Sequence, residues 1–117
     1  MRTINIHSFR RVGVQEFDRF ELQRLMGISN RGVWRKWLIA VGFNPDDLQH
    51  KYRWSDIPIL VALKLFLNAK KGRHKHTYLD FLDLRESDQL SEELLTIAKH
   101  LTEELKHDYY QNNRLAS

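Results

Sequence analysis

Arg31 and Arg35 stand four residues apart, with Lys36 beside the second, in a segment that opens on Ser29-Asn30 and closes on Gly42. If that segment is helical, the two guanidinium groups share one face, one turn apart. Each can donate two parallel hydrogen bonds to a guanine edge or a phosphate. Lys36 adds a point charge suited to phosphate. Ser29 and Asn30, at the helix start, bring backbone amides that hold anions. The chemistry on offer is capture of a polyanion. Arg10, Arg11, Lys51 and the basic run from Lys70 to Lys75 are weaker candidates for the same work.

Other chemistries are poorly served. The absence of Cys removes disulfides, thiol catalysis and thiolate metal sites, and fits a reducing cytoplasm. The six His are scattered, and the one close pair, His74 and His76, sits in a basic loop that repels a cation. Asp80 and Asp83, three apart, read as a solvated helix face. No phosphate-cradling Gly loop or nucleophile motif occurs. The expectation is a protein that is not an enzyme, with no cofactor, no metal and no small-molecule effector. No secretory signal is read at the start, and Ile57 to Leu67, the most apolar stretch, is too short to span a bilayer.

Charge is divided along the chain. Residues 1–76 carry 15 Lys and Arg against 6 Asp and Glu, a net of +9, whereas residues 77–117 carry 4 against 9, a net of −5. A basic front and an acidic tail point to different tasks, and nucleic acid is the default polyanion for the front.

The elements that must position these groups follow from caps and periodicity. Thr3 to Phe9 alternates as a short strand. Asp18 and Glu21 form a capping box, with Phe17 and Leu22 placed as a hydrophobic staple, and Gly27 stops the helix they open. Ser29 is the expected cap of a second helix whose inner stripe is Val33, Trp37 and Val41, ended by Gly42. Leu48 to Trp54 is expected to form a small hairpin or wing. Ser55 caps a third helix, apolar almost all round from Ile57 to Leu67. Thr77 opens a short helix to about Arg85. A last helix runs from Ser87–Ser91 to about Asn112, with Leu94, Ala98, Leu101, Leu105 and Tyr109 at steps of three and four, the seam of a helix that packs on another helix.

A short capped helix, a Gly turn and a second basic helix is the helix-turn-helix pattern. In detail Asp18 to Ser29, reading D-R-F-E-L-Q-R-L-M-G-I-S, resembles the opening T-I-G-E-L-A-K-L-T-G-V-S of MerR-type transcription regulators. Glu21, Leu22, Leu25, Gly27, Ile28 and Ser29 fall in register, and Arg31 matches the arginine that follows. Gly42-Phe43 stands where the family's second helix ends in Gly-Leu. Tyr52-Arg53-Trp54-Ser55-Asp56 resembles the close of the family's wing. The resemblance covers about 54 residues, and the short chain is also similar to the MerR-type repressors found with CRISPR-associated transposons. Arg35-Lys36 replaces the family's aromatic pair, so its base preference does not transfer.

The resemblance implies a mainly α fold: a winged helix-turn-helix with a small β-wing over residues 18–86, an N-terminal strand extension over 1–17, and a C-terminal dimerisation helix over 87–117. It implies that Tyr52 and Arg53 contact the DNA backbone or minor groove, and that Leu94, Ala98, Leu101, Leu105 and Tyr109 meet a partner's helix. With too few residues after that helix to enclose a ligand, the expected function is a homodimeric repressor on an inverted-repeat operator in double-stranded DNA. The alternatives are an excisionase-like DNA-bending recombination accessory protein and a protein–protein adaptor that uses the tail helix.

Overall fold

The computed structural model describes residues 15–71, 74–75 and 77–116. The strand expected over Thr3 to Phe9 lies outside the described residues. Within them the fold is mainly helical, with five α-helices and small two-stranded antiparallel sheets. The elements are β1 (Glu16–Phe17), α1 (Arg19–Leu25), α2 (Arg31–Ala40), β2 (Tyr52–Arg53), a 3-10 turn (Trp54–Asp56), α3 (Ile57–Asn68), β3 (Lys70–Lys71), β4 (His74–Lys75), α4 (Tyr78–Glu86) and α5 (Glu92–Ala116).

Two of the four expected caps, Asp18 and Thr77, act as read. Asp18 accepts from the Glu21 amide at 2.8 Å, and Glu21 reaches back to the Asp18 amide at 2.9 Å. Replacing Asp18 with Ala is expected to lower stability by about 1 kcal/mol, measured as a shift in the urea midpoint. Thr77 and Asp80 exchange the same two bonds at the start of α4. Phe17 and Leu22 are both buried in the one core, as a staple requires. One cap moves: Asn30, and not Ser29, caps α2, its Oδ1 accepting from the Val33 amide at 3.0 Å.

α3 is the centre of the fold. Ile57, Leu60, Val61, Ala62 and Leu63 are buried, so the helix has almost no free face. Ser55 does not cap it. The helix is entered through the 3-10 turn, where the Asp56 carboxylate accepts from the Arg53 amide at 2.8 Å and Pro58 falls in the first helical turn, which needs no amide donor there. α5 lies along α3. Ala62 of α3 and Ala98 of α5 are both fully buried in the shared core. Leu94, Leu101, Leu105 and Tyr109 flank Ala98 against the same core. The seam expected to meet a partner's helix thus packs in part against the chain's own core, with Ala98 fully buried and Leu94, Leu101, Leu105 and Tyr109 half-buried. At the far end of α5, Tyr109 meets Phe17 and Trp54 edge-on, each at 5.5 Å, and the Trp54 indole donates to the Tyr110 hydroxyl at 3.1 Å.

The expected hairpin over Leu48 to Trp54 does not form. Tyr52–Arg53 pairs instead with Glu16–Phe17, Phe17 opposite Tyr52 and Glu16 opposite Arg53. The reason is burial: Phe17 and Tyr52 point inward as neighbours and both join the core, while Glu16 and Arg53 alternate outward and pair at 3.3 Å. Residues 16–17, grouped by sequence with the N-terminal extension, are thus tied to the strand before α3. The basic run after α3 forms a second ladder, with Lys70 opposite Lys75 and Lys71 opposite His74.

Gly42 ends α2 with φ of +90°, a left-handed conformation that only Gly takes at low cost. A β-carbon there would also lie 3.0 Å from the Arg85 guanidinium. That side chain crosses from α4 to donate from Nε to the Ala40 carbonyl at 3.0 Å, a cation at the C-terminal end of α2. Replacing Gly42 with Ala is expected to cost about 1–3 kcal/mol, read as a lower thermal midpoint, because it strains the backbone and displaces Arg85.

Candidate nucleic-acid interface

α2 divides into two faces. Trp34, Trp37, Leu38 and Ala40 are buried, followed by Val41 at its end. Of the expected inner stripe Val33, Trp37 and Val41, Trp37 and Val41 are buried as read, but Val33 is 40% exposed and Trp34 takes its place in the core. The larger indole wins the interior because it removes more apolar surface from water. Arg31, Gly32, Val33, Arg35, Lys36 and Ile39 are left facing outward.

Arg31 opens the helix, fully on the exposed side. Arg35, one turn later, pairs with Asp46 on the loop that follows α2, Nη1 to Oδ1 at 2.7 Å and Nη2 to Oδ2 at 3.4 Å. The hydrogen bond and charge of Arg35 hold the Asp46 carboxyl below its usual range, and Asp46 raises the guanidinium in turn. Lys36 leans toward α4, its ammonium 5.5 Å from the Tyr78 ring centre. Ser29 and Lys51 are exposed. Asn30 is exposed too, but its side-chain oxygen is committed to the cap of α2.

Tyr52 must be corrected. It is 1% exposed, its ring 5.3 Å from Phe43 and 4.6 Å from His50, and it supports the core where a contact with a polyanion was expected. Burial, then the nearby Asp47 carboxylate, pushes its phenol above the usual tyrosine range. A raised folded-state value means that Tyr52 favours the fold below about pH 10, and that this contribution is lost as the pH rises further. Alkaline titration followed by tyrosinate absorbance is expected to show its ionisation coupled to loss of the native circular dichroism. Arg53, its neighbour, faces out against Glu16.

The structure thus brings Asn30, Arg31 and Arg35 together on one helix face, sets Lys36 toward α4, and takes Tyr52 out of play. Asp46 was not read from the sequence as the partner of Arg35. Its one signal was the Asn44-Pro45-Asp46 turn directly after the basic helix, which positions a carboxylate without naming its partner. Among the described residues no group of three or more His, Asp or Glu could hold a metal ion, and no helix is long and apolar enough to cross a membrane. In comparisons with known proteins, no family model, no curated protein and no solved structure matches the chain.

Proposed function

We propose that the chain is a sequence-specific double-stranded DNA-binding regulator of transcription, acting in the cytoplasm through a winged helix-turn-helix similar to that of MerR-type proteins. α2 would serve as the recognition helix. The observation that carries the reading is its division of labour: Trp34, Trp37 and Leu38 lock the inner face into the core, while Arg31 and Arg35 stand outward one turn apart. The major groove admits a helix so presented. α1 and the turn at Gly27, with φ of +74°, would set its angle, and the β1–β2 ladder would serve in place of a wing. The apolar core holds the scaffold, and no cofactor is needed for this work.

Repression by occupancy of an inverted repeat requires two copies. The Leu94 to Tyr109 stripe is half-buried against the chain's own core, so pairing would use what remains exposed of it or another surface of the protomer. The same partial burial favours the alternative of an excisionase-like accessory protein that binds as single copies and bends DNA, and it reduces the stripe that an adaptor would have used. Selection of bound duplexes from a random pool, with mass measurement of the complexes by light scattering, separates these. Palindromic sites bound by two chains are expected for the repressor. Non-palindromic or tandem sites bound by single chains support the accessory protein. No enrichment from the pool overturns both.

A further inference from the structure

Asp46 stands on the outward side of α2 without a task in the fold. Its carboxylate and the Arg35 guanidinium are 70% and 52% exposed, so their pairing adds little to stability. The loop that carries Asp46 is nevertheless held firmly. Asn44 Oδ1 accepts from the Asp46 amide at 2.9 Å, Pro45 is buried, and its carbonyl accepts from Arg19 of α1. A fixed carboxylate thus meets a long cationic side chain at the centre of the outer face.

The geometry points to Asp46 as a specificity-determining residue, which holds Arg35 end-on so that the side edge of its guanidinium is set toward a guanine; this rests on the DNA-binding reading above. The pair engages one hydrogen on each terminal nitrogen. Nε–H and a remaining Nη–H are left parallel, the spacing that O6 and N7 of guanine accept in the major groove. Rotamer freedom that an unpaired Arg loses on binding is already lost here, which favours a geometry-dependent base contact over a loose phosphate contact. The carboxylate also repels phosphate, so the backbone is a poor alternative for Arg35 and register on the duplex is sharpened. Asp46 acts through Arg35 and is a positioning residue.

The test compares wild type, Asp46→Ala, Asp46→Asn and Arg35→Ala on duplexes selected by the wild type and on copies changed one base pair at a time. For wild type, one guanine per half-site or site is expected to be preferred over other bases by about tenfold to a hundredfold. Arg35→Ala is expected to erase that preference. Asp46→Ala is expected to reduce it to about threefold or less by loosening the fork, while binding to random DNA stays constant or tightens through loss of a negative charge. Asp46→Asn keeps one acceptor and is expected to fall between. Equal thermal midpoints for all four chains check that folding is intact. A full guanine preference in Asp46→Ala, or an affinity loss equal on all sequences, overturns the assignment of Asp46 and leaves the DNA-binding reading standing. Failure of the wild type to bind any duplex overturns both.

Discussion

Replacing Trp34 with Ala is expected to destabilise the protein by about 3–5 kcal/mol. The indole is 1% exposed and lies on the inner face of α2, in one core with Leu22 and Met26 of the preceding segment and with the buried residues of α3. Truncation loses the burial of the largest side-chain type and leaves a cavity that rigid neighbouring helices fill only in part. Domains of this size are stable by about 5–15 kcal/mol, so the variant would lose roughly a fifth of that margin at the least and all of it at the most. Urea unfolding followed by far-ultraviolet circular dichroism measures it. Trp34→Phe, which retains most of the ring volume, is expected to lose much less. A midpoint unchanged by Trp34→Ala would mean that α2 is not anchored by this side chain, and the rigid presentation of Arg31 and Arg35 would lose its basis.

Removing both outward arginines, Arg31→Ala with Arg35→Ala, is expected to act on binding alone. Neither side chain is buried and neither supports the core, so the thermal midpoint should hold. A guanidinium in bidentate contact with a base discriminates by about 1–3 kcal/mol, and two together are expected to weaken specific binding by about a hundredfold or more. Competition between a selected duplex and random DNA measures this. The double variant should bind both alike, through the remaining basic residues. Retained preference for the selected duplex would place the reading surface elsewhere, with Arg53 and Lys51 the next residues to replace.

Local signals were legible because they are carried by residues close in sequence. The Asp18 box and the Thr77 cap each need only a span of four residues, and Gly27 and Gly42 act where they stand, although the return bond from Asp80 was not read. The apolar run of α3 announces a central helix by composition alone. The α5 stripe shows the limit of periodicity: steps of three and four demand a buried face, and they are the same whether a partner's helix or α3 covers it. Trp37 and Val41 face inward as read, but at the start of α2 Val33 and Trp34 are both apolar, and only packing decides which turns inward. The β1–β2 ladder joins residues some 35 positions apart through two-residue strands, too short to show alternation. For that reason Tyr52 passed for a surface residue when it fills the core. Asp46 was hidden although its partner Arg35 is only 11 residues away, because the pairing is set by how the loop folds back on α2, held by Asn44 and by Arg19.

The central claim, that the outward face of α2 binds duplex DNA, is tested most directly by the salt dependence of binding. Fluorescence anisotropy of a labelled duplex, selected by the wild-type chain and titrated at several salt concentrations, gives the slope of log K against log salt. Each phosphate neutralised contributes about −0.9. Contact by several of Arg31, Lys36, Lys51 and Arg53 predicts a slope of about −3 or steeper. A slope near zero, or no binding at low salt, would contradict the account.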